Sequence, residues 1–338
     1  MLKPIVCCAA VLAVLALPAA TGAAPKRHAD VTVMTRNLFL GANLLPLAVS
    51  KPGAEFEHAA GDVLRHVTAS EPNERMTLIA REIARAKPDL VGLQEVTLWR
   101  TGPKGDPAPA TDVRVDYLAA LRAALVAAGA HYRVVADHRT LNLEAPTDAA
   151  VDVRLTEGNV VLARKGVRVR HVRSSDFGHE LVIPTQALGD VSVHRSFNQL
   201  DATVRGAKLH FVNTHLEAYS AATRLDQAKE LVRRALRSRR QTILVGDLNS
   251  GRKLPKREDR PPYEAITRAG LKEERTSKMQ CCLEDDLVSG RWDHIVDHIM
   301  ARPKVKLVRS FVTGTEKTPG GRRPSDHGGV VSVLRVKR

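Results

Sequence analysis

The sequence predicts one mixed α/β domain behind a removable leader. Three observations carry this. Short apolar runs with strand alternation interleave with stretches of helical spacing along nearly the whole 338 residues. No repeat of fixed period and no linker long enough to split the chain interrupts them. Hydrophobic residues make up 43%, enough for a sizeable core and too many for a disordered chain.

The leader comes first. Met1-Leu2-Lys3 is a short positive start, Ile5 to Leu17 is apolar, and Pro18 and the small residues Ala19 to Ala24 follow. That order is a secretory signal peptide over 1–23, cleaved near Ala23, which predicts a secreted protein with its domain over 30–338. The alternative, an uncleaved anchor, needs about 20 apolar residues, more than this run supplies. No later segment is long and apolar enough to span a bilayer, and a monomer is expected.

Asp30 to Arg36 alternates like a strand and ends at Asn37. Leu38 to Leu47, with Gly41 and Pro46, is a loop. Glu71 to Lys87 has helical apolar spacing at Met76, Ile79, Ala80 and Ile83, with Ser70 as its cap and Pro72 in its first turn. Asp89 to Gln94 is a buried strand ending at Glu95. Thr101 to Thr111 is a Gly/Pro loop, and Asp112 to Ala128 an Ala/Leu-rich helix stopped by Gly129. Strands follow at Tyr132 to Ala136, Asn159 to Ala163, Val167 to Val172, Asn198 to Arg205 and Lys208 to Asn213. A helix spans Ser220 to Arg237, and Thr242 to Val245 is a compact strand before Gly246. Arg252 to Pro262 is a charged loop. The last strands are Ile295 to Met300, Val305 to Val312 and Gly329 to Val336, with the loop Thr315 to Pro324 between the final two.

The chain carries 52 Lys+Arg against 37 Asp+Glu, a formal charge of +15. The surplus is uneven: 3 in residues 1–169 and 12 in residues 170–338. Basic clusters stand at Arg233-Arg234, Arg237 to Arg240, Arg252 to Arg260, Arg302 to Lys306, Arg322-Arg323 and Arg335 to Arg338. A field of this sign attracts polyanions. Aromatics are only 4%, which counts against a Trp-rich membrane wedge. Cys7 and Cys8 leave with the leader. Cys281 and Cys282 are either two thiols or a strained ring between neighbours, and both readings stay open.

Six apolar strands deliver acids, amides or histidines at their tips. These are Asn37, Glu95, Thr214-His215, Asp247 with Asn249, Asp297-His298 and Asp326-His327. Taken alone, His215 reads as a satisfied core histidine and Asn37 as a turn cap. Taken together, side-by-side strand ends would focus them into one pocket. Carboxylates and amide oxygens are hard ligands suited to Mg2+ or Mn2+. A divalent ion offsets phosphate charge, and a histidine beside a carboxylate shuttles protons near neutral pH. No nucleophile elbow or Gly-rich nucleotide loop competes with this chemistry. His298, next to Asp297 on an alternating strand, should point the other way.

In this order, TRN (35–37), LQEV (93–96), NTHLE (213–217), GDLN (246–249), VDHI (296–299) and SDHGG (325–329) resemble the signature blocks of the endonuclease/exonuclease/phosphatase superfamily. The resemblance implies an α+β, DNase I-like four-layer α/β/β/α sandwich, with two packed mixed β-sheets flanked by helices. It implies Glu95 as main metal ligand, with Asn37 beside it and Asp326 assisting. It implies that His215 contacts the scissile phosphate, that Asp247 orients or activates water with Asn249 as its phosphate-binding partner, and that Asp297 pairs with His327. Asp247 and His327 share the general-base role. Arg195, ahead of FNQLDATV, resembles an arginine that meets phosphate. One block departs: where several nucleases of the family carry a phosphate-contacting Tyr, this chain reads Thr156-Glu157-Gly158.

The charge puts a secreted, metal-dependent nuclease first, with nucleic acid as substrate. A phospholipase C or sphingomyelinase acting on lipid, anionic lipid included, stands second, because such enzymes need an apolar, aromatic-bearing loop. A sugar- or inositol-phosphate phosphatase is third. A non-catalytic binding protein would be expected to have lost part of the set.

Overall fold

The computed structural model describes residues 27–302 and 304–338. The expected leader, with Cys7 and Cys8, lies outside them. No helix among the described residues is long and apolar enough to cross a membrane.

Two mixed sheets pack face to face. The first runs in the order Lys306–Val312, Val330–Lys337, His28–Asn37, Leu90–Gln94, Val151–Arg164, Leu98–Pro103 and Asp112–Asp116, with Tyr132–Pro146 also paired to Val151–Arg164. The second runs Lys272–Glu273, Asp297–Ala301, Gln241–Asp247, Ala207–His215, Ser196–Val204 and Arg168–Asp176. Their inner faces share one apolar layer, in which Val31, Val33 and Val161 of the first meet Leu209, Phe211 and Ile243 of the second. The amphipathic helices Pro72–Ala86 and Tyr117–Ala127 cover the outside of the first sheet through Met76, Ile79, Ile83 and Leu121. Ala221–Arg234 and Pro261–Arg268 cover the second through Ala228, Leu231 and Ile266. Four layers result, because each sheet has two apolar faces and needs cover on both.

Several local expectations need correction. Asp112–Asp116 is a strand, since Val113 and Val115 pair with Arg100 and Trp99, and the helix begins only at Tyr117. There the Asp116 carboxylate accepts from the Ala119 amide at 2.9 Å, a side-chain N-cap. Ser70 does not cap Pro72–Ala86. It ends a preceding helix, Ala54–Ala69, that the periodicity did not suggest, and donates to Val67 O at 2.8 Å. Leu98–Pro103 extends as a strand into the expected Gly/Pro loop, Leu45–Val49 closes the Leu38 loop as a short helix, and Pro261–Arg268 follows the charged loop.

Between the sheets, near the strand tips, the apolar layer gives way to amides. Gln94 donates to Asn213 at 2.7 Å, and Asn213 donates to Leu93 O at 3.1 Å and to Asn198 at 3.2 Å. Gly92 makes room for this network, because a Cβ there would collide with Asn213 and Val245. Gly92→Ala is therefore expected to cost about 1–3 kcal/mol in urea unfolding. An unchanged midpoint would mean that the sheets do not press together at this point.

Candidate active site

Strand polarity gathers the chemistry. His28–Asn37 and Leu90–Gln94 run parallel, with Asn37 opposite Gln94, the residue before Glu95. Ala207–His215 and Gln241–Asp247 run parallel, with His215 opposite Asp247. Asp297–Ala301 runs antiparallel and starts with Asp297 opposite Asp247. Ser325 to His327 leads into Val330–Lys337, whose Val330 lies opposite Thr35. All of these tips meet at one end of the sandwich.

The side chains form a connected set around Asp247. Asn37 Nδ2 donates to Glu95 Oε1 at 3.0 Å and to Asp247 Oδ2 at 3.1 Å. The Leu40 amide donates to Glu95 Oε2 at 2.7 Å. Asp247 Oδ1 accepts from the Asn249 amide at 2.9 Å, and the Asn249 side chain lies 3.2 Å from His215 Nε2. Asp247 Oδ2 is 3.6 Å from His215 Nε2 and 3.8 Å from His327 Nε2. His327 Nδ1 is 2.7 Å from Asp297 Oδ2, and its Nε2 is 3.8 Å from Asp326 Oδ2. Arg195 Nη1 is 3.2 Å from His215 Nδ1. His298 turns away, to Glu273 at 2.6 Å and Ser250 O at 2.8 Å, as alternation requires.

The two histidines hold opposite charge states. Burial and the neighbouring Arg195 guanidinium push His215 well below its ordinary value, so the ring is neutral. Its Nδ1 accepts from Arg195, which leaves the proton on Nε2, facing Asp247. Burial also opposes charge on His327, but the Asp297, Asp326 and Asp247 carboxylates outweigh it and hold that ring well above its ordinary value. Asp297 is lowered in return: burial works against its charge, and His327 overcomes it. Asp247 is raised by burial and by the Asp297 charge. Glu95 is pushed up to about 7 by burial and by Asp326, against the Asn37 hydrogen bond.

This crowding fits a divalent cation. Asp247, Asp297 and His327 bring ligand atoms within 4.8 Å of one another, Asn37 bridges Glu95 to Asp247, the Asp326 charge acts on Glu95, and the buried Asp297 Oδ1 has no hydrogen-bond partner. The donor set of carboxylates and an amide is oxygen-rich and hard.

Residues 62–327 match the model of the Endonuclease/Exonuclease/phosphatase family. The chain belongs to this family. Members hydrolyse phosphate ester bonds, this one included, and in general depend on a divalent metal. An endonuclease/exonuclease/phosphatase of Bacteroides vulgatus is 17% identical, with 91% of this chain and 100% of that chain covered and a TM-score of 0.56. D. rerio TDP2, solved with a single-strand DNA product, is 18% identical over 90% of this chain and 98% of its own, at 0.52. A Bacteroides thetaiotaomicron mannosyl-6-phosphatase is 16% identical over 90% and 99%, at 0.51. At these identities the likeness is one of fold. No curated protein matches the chain.

Several residues of this family site were not singled out in the sequence. Glu157, in the block that departs from the family's Tyr, is buried 4.0 Å from Arg195, and Glu217 of NTHLE lies 3.4 Å from it. Together these two acids outweigh burial and keep the Arg195 charge in place. Gln280 donates to Asp297 Oδ2 at 3.0 Å. Buried Arg36 donates to the His327 carbonyl and pairs with Glu82 at 3.2 Å, holding the SDHGG loop against its strand. Cys281 and Cys282 are joined as neighbours, with sulfurs 3.5 and 3.6 Å from His327 Nε2. The ring between these neighbours is one of the two readings the sequence left open, while their place beside His327 comes from long-range contact: Leu283 N donates to Asp326 O at 3.1 Å.

The basic clusters divide between the two ends of the sandwich. Arg233 to Arg240 precede Gln241–Asp247, Arg302 to Lys306 follow Asp297–Ala301, and Arg335 to Arg338 end Val330–Lys337. These therefore lie at the far end of their strands from the candidate site. Arg252 to Arg260 and Arg322-Arg323 adjoin Asn249 and Ser325 and lie at the near end.

Proposed function

We propose that this chain is a secreted, divalent-metal-dependent phosphodiesterase that cleaves by activated water. The observation that carries the reading is the connected set in which hydrogen bonds join Glu95, Asn37 and Asp247, a 3.8 Å ion pair joins Asp247 to His327, and a hydrogen bond joins His327 to Asp297. Glu95 would hold the Mg2+ or Mn2+ ion, with Asn37 and Asp326 beside it. When bound, that ion supplies charge neutralisation at the phosphate.

The remaining work falls to the chain. Arg195 and the Nε2–H of His215 bind the phosphoryl oxygens, with the Asn249 amide beside them. The Asp247 carboxylate receives the proton of the attacking water, with the His327 ring 3.8 Å away as its neighbouring cation. Asp297 fixes the His327 ring so that Nε2 points inward. The leader over 1–23 supports export.

The nucleic-acid reading draws on Arg252 to Arg260 and Arg322-Arg323 at the near end. A lipid phosphodiester as second reading draws on an apolar cleft beside Arg195. The test is a panel of plasmid DNA, RNA, sphingomyelin and bis(p-nitrophenyl) phosphate with Mg2+ or Mn2+. Hydrolysis of at least one diester is expected, with loss of activity in EDTA and recovery on adding metal. Activity on monoesters alone would contradict the reading.

A further inference from the structure

One cleft beside the site has no part in the steps above. Leu40, Trp99, Leu143, Leu155, Ile183 and Leu188 line it, around about 150 Å³ of free space. An apolar cavity of about that size stays dry and accepts a benzene-sized group. The cleft is continuous with the site. Leu40, whose amide holds Glu95 at 2.7 Å, is one wall, and Arg195 and Tyr219 stand at the boundary. Its rim is apolar and open to solvent. The short helix Leu45–Val49 meets the hairpin formed by Leu181–Thr185 and Gly189–Val193, and Leu45 and Leu188 of these two elements line the cleft while staying 44% and 40% exposed.

We propose that the cleft is the subsite for the aliphatic chain of an amphipathic phosphodiester. The inference rests on the phosphodiesterase reading. The phosphate meets Arg195 and His215, and the chain runs past Leu40 between the short helix and the hairpin. A nucleobase fits poorly, because its polar edges would lose water and find few partners on this lining. The low aromatic content, which counted against lipid, does not apply: Leu, Ile, Val and Ala supply the apolar surface instead.

The test compares p-nitrophenyl methyl phosphate with p-nitrophenyl octyl phosphate, both as monomers in solution with Mn2+. At about fourfold per buried methylene, burial of three or four predicts a kcat/KM for the octyl ester about 100-fold higher. Leu188→Glu, which puts charge in the cleft, and Ala48→Trp, which fills it, should each reduce that ratio to near one and leave the methyl ester rate unchanged. Equal rates for the two esters in the wild type, or a preference that survives both variants, would overturn the subsite and leave the phosphodiesterase reading standing. Cleavage of plasmid DNA with no chain-length effect would do the same in favour of nucleic acid. Failure to cleave either ester or any other diester would remove the underlying reading instead.

Discussion

Replacing His327 by Ala should lower kcat on a phosphodiester by about a thousandfold or more, with the fold intact. The expectation follows from where the ring sits. Its Nδ1 is fixed by Asp297 at 2.7 Å, and its Nε2 lies 3.8 Å from both Asp247 and Asp326. Removing it takes away a proton carrier and leaves three carboxylates without their shared cation. Asp247→Asn should cost a similar factor, because it removes the carboxylate that accepts the water's proton beside that cation. The double variant should lose little beyond either single change, since residues that act as one unit fail together. Steady-state kinetics with unfolding curves for each variant would check this. Two single losses that multiply would show that the residues act separately.

Metal stabilisation should depend on pH, with a sign that Glu95 dictates. Its carboxyl is pushed up to about 7 from an ordinary 4.5, by burial and by Asp326. The metal-free fold therefore holds a proton that the unfolded chain releases. Between those two values, metal-free stability falls as pH rises. A bound cation needs the ionised carboxylate and competes with that proton. The gain in Tm from Mn2+ should be small near pH 5.5, grow up to about pH 7.5 and then level off. Asp247, also raised by burial, adds in the same direction. Glu95→Gln should leave the fold, abolish most of the gain and flatten its pH dependence. Thermal melts at matched ionic strength measure this. A gain that is already full at pH 5.5 would contradict the placement of the ion at Glu95.

Much of this was legible in the sequence because the fold positions its chemistry locally. Each tip residue follows a short apolar strand, so TRN, LQEV, GDLN and SDHGG could be read without knowing how the strands pair. The four layers followed from the resemblance those blocks carry. What the sequence hid depends on long-range contact. Glu157 looked like the loss of a Tyr, yet its carboxylate lies 4.0 Å from Arg195. Asp112–Asp116 looked helical because its five residues run straight into an Ala/Leu-rich helix, and only pairing with Leu98–Pro103 draws it into the sheet. The charge surplus suggested an approach surface, but strand direction sends four of its six clusters to the far end. The apolar cleft was invisible because its walls come from separate stretches of chain, among them those around Leu45, Val63, Trp99, Leu143, Leu155, Ile183 and Tyr219.

The central claim is that one metal-dependent centre, anchored at Glu95 and completed by Asp247 and His327, hydrolyses phosphodiesters. Its most direct test is to titrate Mn2+ into the metal-free protein by calorimetry while following bis(p-nitrophenyl) phosphate hydrolysis in the same preparation. Rate should rise in proportion to occupancy of the site, and both should collapse in Glu95→Gln. Full hydrolysis in EDTA, or a Glu95→Gln protein that binds Mn2+ and turns over like the wild type, would contradict it.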